Sequence, residues 1–320
     1  MDLPKYSSVE NILEDVRAMR PRGGSAFGYC AATAYKLIAE NKSIMALDTL
    51  FGELEQVSKE LLSEKPTMAT IHNAKSLIVD NTRTLDGDSG LDNVRSCIIN
   101  RANLFIERSS IALDRIGEFG GNLIQDGETI MIHSYSRSLM SCFAQAHELG
   151  KSFSVICTDS QPTKESRWAI HDLTSWGIET TFVLDAGMAM IISEADWCLT
   201  GADSISNIGS VANKIGTYGV AILAREHGIP FFVAAPTSTV DMKLASGDAI
   251  PIEERKPEEV CQGMGARTAP QEVSIYNPAF DVTPHRLVSG IITEFGVATS
   301  PFEPTLRRWT TTGSSEIDRA

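Results

Sequence analysis

TIMIH (129–133), FSVIC (153–157), TTFVL (180–184), WCLT (197–200) and PFFVA (230–234) are the stretches whose reading decides the fold. Each is a short run rich in β-branched, aromatic or other apolar residues, and segments of helical character lie between most of them. Strand, helix and strand repeated in this way build a parallel sheet with right-handed crossovers. In such sheets ligands bind beyond the carboxyl ends of the strands. The residues just after each run are therefore the ones to inspect: 133–138, 158–162, 185–186, 201–204 and 235–239. They are rich in polar and small side chains.

Upstream of Thr129 the pattern is helical. Ser7 or Ser8 can cap a helix that carries Ile12, Leu13, Val16 and Met19 at helical spacing and is ended by Pro21. A second helix follows the RGG turn, from Ala26 to Ala39. A third carries Leu47, Leu50, Leu54, Val57 and Leu61 and stops before Pro66. After the turn-rich TLDGDSG (84–90), a long amphipathic helix is expected from about Leu91 to Ile116. The closing RRWTTTGSSEIDRA (307–320) reads as a frayed tail.

Composition narrows the class. The 320 residues suffice for one large domain or two ordinary ones, and 42% hydrophobic with 22% charged residues is ordinary for a globular chain. A net charge of −13 argues against a nucleic-acid partner, which requires basic patches to neutralise phosphates. The six cysteines are widely spaced with no C-x-x-C pair, which suits reduced thiols and not disulfides or zinc. The first twenty residues mix charges every few positions, unlike a signal peptide, and no window approaches the roughly 20 apolar residues of a membrane span. A cytoplasmic protein without a membrane partner is expected.

Four constellations could carry chemistry. Arg22-Gly23-Gly24-Ser25 enters a helix: glycines allow an anion close to the backbone, helix N–H groups point outward, and Arg22 adds a bidentate donor. The same pattern also serves as an ordinary helix start. Asn213-Lys214-Ile215-Gly216-Thr217 opens another helix, where a lysine opposes the macrodipole unless it faces solvent or a bound phosphate. Asp203, just past WCLT, is either a general acid or base or a loop-capping residue. His133-Ser134-Tyr135-Ser136-Arg137 follows the first strand. It lacks a local partner acid and oxyanion hole, so an anion- or hydroxyl-binding loop fits better than a nucleophile triad. His133 also reads as a hydrogen-bonded core histidine.

At these residues the chain resembles the superfamily of methylthioribose-1-phosphate isomerases, archaeal ribose-1,5-bisphosphate isomerases and the α, β and δ regulatory subunits of eukaryotic initiation factor 2B. The likeness covers nearly the whole chain. It rests on the RGG turn, KPT (65–67), RIGEFG (115–120), GADSI (201–205), NKIGT (213–217), VAAPTSTVD (233–241), IPIEER (250–255) and NPAFDVTP (277–284). The last three look like the methylthioribose-phosphate enzymes, RIGEFG, GADSI and the overall length look like the ribose-bisphosphate enzyme, and HSYSR (133–137) and TDSQP (158–162) look like the regulatory α subunit.

The resemblance implies an α/β protein with an N-terminal helical domain (1–118) and a Rossmann-like, sugar-phosphate-binding domain with a mainly parallel sheet (119–320). It implies a homo-oligomer, a dimer or a multiple of dimers, that needs neither metal nor cofactor. The family isomerases pair the aspartate of GAD, here Asp203, with a cysteine directly after the strand-end histidine. That position is Ser134, and a hydroxyl needs an adjacent base, for which His133 is the sequence candidate. Arg22, Gly23, Gly24, Lys65, His133, Arg137, Gln161, Asn213 and Lys214 are the expected binding residues. Two depart from the family: Gln161 stands for the arginine of TRP, and Lys65 for the arginine of RPT, keeping charge but losing the fork. An aldose 1-phosphate isomerase and a non-catalytic sugar-phosphate-sensing subunit are the two functions implied.

Overall fold

The computed structural model describes residues 4–84, 90–263 and 265–318, with the backbone alone for 316 and 318. The first helix, α1 (Val9–Arg17), is capped by Ser8, whose hydroxyl accepts from the Asn11 N–H at 3.2 Å. It is followed by α2 (Gly24–Glu40) and α3 (Leu47–Glu64). After KPT the chain turns through α4 (Ala69–Ala74), a π-helical turn at Lys75–Asp80 and α5 (Asn81–Arg83), all left unassigned by the sequence pattern. Most of the expected TLDGDSG turn lies outside the described residues.

The long helix α6 (Leu91–Leu123) has 33 residues and runs two turns beyond Ile116. The reason lies in RIGEFGG, whose glycines admit a neighbouring helix instead of ending this one. A Cβ on Gly117 would stand 3.0 Å from the Ser141 carbonyl, and one on Gly121 would stand 2.8 Å from the Gln145 Cβ. Bulkier residues would force the two helices apart.

From Thr129 the chain alternates through β1 (Thr129–His133), α7 (Arg137–Glu148), β2 (Ser154–Thr158), α8 (Ser166–Ser175), β3 (Glu179–Val183), the short α9 (Met188–Ile191) and β4 (Trp197–Thr200). Then come β5 (Ser204–Ser206), β6 (Val211–Lys214), α10 (Thr217–Glu226), β7 (Phe231–Ala234) and β8 (Val240–Asp241). Beyond these lie α11 (Glu258–Cys261), the small β9 (Gln262–Gly263) and β10 (Ala266–Arg267) pair, β11 (Phe280–Thr283), β12 (Gly290–Thr293), β13 (Gly296–Ala298) and α12 (Phe302–Asp318).

The main sheet has the order β13-β12-β7-β4-β1-β2-β3 and is parallel except for β13. All five expected strands are in it. Along β1, Ile130 and Ile132 join the core beneath α7 and α8 while Met131 joins the core on the opposite face, the period-two alternation of a strand covered on both sides. A second sheet, β11-β6-β5-β8, is built from the motif segments themselves. Through residue 318 the tail is not frayed: α12 buries Phe302, Leu306 and Ile317 and stacks Trp309 on Phe295 at 6.1 Å. Among the described residues, no helix is long and apolar enough to cross a membrane.

Candidate active site

The carboxyl end of β1 turns sharply at Ser134, which holds a left-handed backbone with φ 68°. Its N–H donates to the hydroxyls of Ser160 (2.7 Å) and Ser166 (2.9 Å). The loop carrying Ser160 is pinned in turn by Asp185, which accepts from the Ser160 and Gln161 N–H groups at 2.8 and 2.7 Å. So fixed, Ser134 donates its hydroxyl to Glu165 Oε2 at 2.9 Å, and Glu165 Oε1 pairs with Lys214 Nζ at 3.1 Å.

Asp203 sits where β4 gives way to β5, buried against the start of α2. A Cβ on Gly24 would lie 3.3 Å from its Oδ1 and from the Ala202 carbonyl. Burial pushes the Asp203 carboxyl up to about 7, opposed by Lys214 and reinforced by Glu165 and Glu253. Such a group gives and takes protons near neutral pH. Beside it, α2 begins at Gly23 (φ 81°) with no side-chain cap, and α7 begins at Ser136, likewise uncapped. A Cβ on Gly23 would stand 3.7 Å from the Arg137 N, so the two uncapped helix starts meet there, an anion-binding arrangement.

Arg22, Gly23, Ser134, Asp203, Asn213 and Lys214 all line one cavity of about 30 Å³ between the helical half and the strand ends. Glu165, Trp168, Tyr135 and an apolar group of Met19, Pro21, Phe27, Met68 and Phe280 complete the wall. The Arg22 guanidinium lies 4.3 Å from the Trp168 ring centroid, a cation–π contact across the cavity rim.

Other expected residues stand outside this wall. Gly24 presses on Asp203, and Arg137 opens α7. Lys65 is buried against Glu253 at 3.4 Å, and burial lowers its pKa. Gln161 turns its amide to Asp159. His133 lies behind the cavity with both ring nitrogens engaged: Nε2 donates to the Ile215 carbonyl at 2.8 Å, so Nδ1 accepts from the Thr158 hydroxyl at 2.7 Å. Burial holds the ring neutral. It is the hydrogen-bonded core histidine and makes no bond to Ser134; the carboxylate of Glu165 occupies the place imagined for it.

The Asn213–Thr217 reading also changes. Lys214 closes β6 and is not in the first turn of α10. That helix start is taken by Asp281, which accepts from the Gly216 and Tyr218 N–H groups at 2.7 and 3.0 Å. Glu165 and Trp168 in the cavity wall and Asp281 behind it were passed over by sequence reasoning; Asp281 alone had a signal, its place in NPAFDVTP.

A larger groove of about 750 Å³ lies elsewhere, between α6, α12 and residues 236–243. None of the expected residues lines it. Its arginines already have partners: Arg108 bonds the Gly313 carbonyl, Arg115 pairs with Glu118 and Arg307 with Glu303. The small cavity, with its convergent charges, is the candidate chemical site.

The chain is similar to known proteins over most of its length. The methylthioribose-1-phosphate isomerase of Pelotomaculum thermopropionicum is 36% identical over 318 residues, covering 95% of this chain and 86% of its own length. The ribose 1,5-bisphosphate isomerase of Thermococcus kodakarensis is 36% identical over 290 residues, covering 90% of each chain. The crystal structure of the Pyrococcus horikoshii OT3 translation initiation factor eIF-2B superposes with a TM-score of 0.79 at 32% identity, covering 92% of this chain and 97% of its own. The model of the initiation factor 2 subunit family matches residues 20–300, and the chain belongs to that family.

Proposed function

We propose that the protein is a sugar-phosphate isomerase that converts an aldose 1-phosphate, such as ribose 1,5-bisphosphate or a 5-substituted ribose 1-phosphate, to the ketose phosphate. In an aldose 1-phosphate the anomeric oxygen is esterified, so the ring cannot open by ordinary hemiacetal chemistry. An acid must protonate the ring oxygen, and hydrogen must then move from C2 to C1. Asp203 is that acid. Arg22, the N–H groups at Gly23 and Gly24, Asn213 and Lys214 hold the phosphorylated sugar, and Ser134 stands at the second catalytic position.

One observation carries this reading. Arg22, Ser134, Asp203 and Lys214, far apart in sequence, line one cavity in which burial raises the Asp203 carboxyl to about 7. The wall also bears on the substrate. Its two cations, Arg22 and Lys214, meet one carboxylate, Glu165, while Asp203 holds the proton it donates, and much of the rest is apolar. That balance favours one phosphate with an uncharged 5-substituent over a bisphosphate. Incubating the pure protein with 5-deoxyribose 1-phosphate, ribose 1-phosphate and ribose 1,5-bisphosphate and following ketose formation tests it.

A second reading, a non-catalytic sugar-phosphate-sensing regulatory subunit, is favoured by Ser134 standing where the family enzymes carry a thiol. Tight binding of the same sugars without turnover identifies it. In either case we assign residues 1–118 to a helical domain and 119–320 to the sugar-phosphate-binding domain of a cytoplasmic homo-oligomer, a dimer or a multiple of dimers. Light scattering that finds only a 34.8 kDa monomer at micromolar concentration contradicts the assembly.

A further inference from the structure

Isomerisation needs two proton carriers, and the wall offers few groups for the second. It holds no imidazole and no thiol among the described residues. His133 is committed on both nitrogens. Burial keeps the Tyr135 phenol protonated. The Ser134 hydroxyl is no base by itself, and its proton already points at Glu165.

We propose that Glu165 is the base of the reaction: it removes the proton from C2 of the sugar and returns it to C1, with Ser134 and Lys214 positioning its carboxylate. This inference rests on the isomerase reading above. Glu165 stands at the start of α8 and lines the cavity together with Asp203. Two anchors from different parts of the fold grip it, the Ser134 hydroxyl at the end of β1 and the Lys214 ammonium at the end of β6, at 2.9 and 3.1 Å. An ionised carboxylate offers about four acceptor sites, so two remain for the substrate. The charged and titratable groups that act on it are Lys214, Asp203, His133 and Arg255.

The cycle closes without a further reactant. The Asp203 carboxyl gives its proton to the ring oxygen while the C1–O ring bond breaks and its electron pair goes to that oxygen. Glu165 then takes the C2 proton, and the C–H electron pair becomes the C1=C2 bond of an enol phosphate. Finally that double bond takes the proton back from Glu165 at C1. The C2 hydroxyl becomes the ketone as its proton passes to the Asp203 carboxylate. Both residues end in their starting states, and hydrogen has moved from C2 to C1.

Glu165→Gln separates this role from a structural one. The amide keeps an acceptor for Ser134, removes a negative charge and releases Lys214 for the phosphate. For the sugar phosphate that the wild type converts, kcat should fall by about 10²–10⁴-fold while KM stays level or drops. A merely structural role raises KM instead. Glu165→Asp, which keeps the carboxylate but withdraws it by one carbon, should recover at least about tenfold over the Gln variant. If the Gln variant does not fold, the Asp variant decides by the same split: a raised KM with kcat within about threefold of wild type, the mark of a structural role, overturns the proposal. So does a folded Gln variant with kcat within about threefold of wild type. Wild-type protein that turns over none of the sugars removes both readings, whereas wild-type turnover with an active Gln variant removes only this one.

Discussion

A Cβ on Gly24 would stand 3.3 Å from Asp203 Oδ1 and 3.3 Å from the Ala202 carbonyl, so the first turn of α2 is packed directly on the proposed acid. This is where the helical half of the chain meets the end of β4. Gly24→Ala puts a methyl against a backbone carbonyl that cannot step aside. The carboxylate or the helix start must shift instead, and kcat/KM should fall by about 10–100-fold with the fold intact by circular dichroism. Full activity in this variant contradicts the close packing.

The raised Asp203 pKa has a consequence for stability. An unfolded aspartate titrates near 3.9, whereas the folded one titrates at about 7. Between those values the folded protein keeps a proton that the unfolded chain has lost, so this group's contribution to stability falls as pH rises through the window and is constant above it. Asp203→Asn removes the penalty. The variant should be more stable than wild type at pH 8, by something on the order of 2–4 kcal/mol, and the difference should vanish near pH 4. Denaturant unfolding at both pH values checks it; a variant less stable at pH 8 contradicts the assignment.

The Arg22–Trp168 contact predicts a spectroscopic signal. The cavity of about 30 Å³ holds little more than a water molecule, so its wall, which includes Arg22 and Trp168, must open to admit a pentose phosphate. Arg22 then exchanges the indole for the phosphate. Tryptophan fluorescence should change on binding, and the change should be lost in Trp168→Phe. Arg22→Ala should weaken binding by about 1.5–3 kcal/mol through the lost charge-assisted bonds. Equal affinity in that variant, measured by calorimetry, contradicts the role.

Asp281 predicts a purely structural loss. Two N–H groups at the start of α10 depend on its carboxylate. Asp281→Ala should destabilise the fold by about 1–3 kcal/mol in thermal or denaturant unfolding at pH 8. A change below half of that range means solvent replaces the cap.

The parallel sheet was legible because each buried strand is a short apolar run that ends in polar residues, and five such runs in series leave few topologies. The second sheet was not. Its strands β5, β6 and β8 are two to four residues long and carry serines, Asn213 and Lys214; their pairing depends on partners as far away as Thr283 is from Val211, 72 residues. The glycines of RIGEFGG hid the last two turns of α6, because glycine signals both a helix end and a close helix contact. At the site, the motifs supplied Arg22, Gly23, Ser134, Asp203, Asn213 and Lys214 of the cavity wall but neither Glu165 and Trp168 nor how the residues bond. His133 and Ser134 are neighbours in sequence, yet the left-handed turn at Ser134 directs their side chains to different partners. Glu165 belongs to no motif, and only the folded loop brings it to the hydroxyl.

The most direct test of the central claim compares wild type and Asp203→Asn for two properties on the same sugar phosphate, ketose formation and equilibrium binding. Asparagine keeps the shape and hydrogen-bonding capacity of the side chain but has no proton to release to the ring oxygen. The account predicts wild-type turnover, loss of turnover in the variant by at least about 10²-fold, and binding within about threefold of wild type. Wild-type protein that binds the sugar phosphate without converting it, or an Asn variant that converts it at the wild-type rate, contradicts the account.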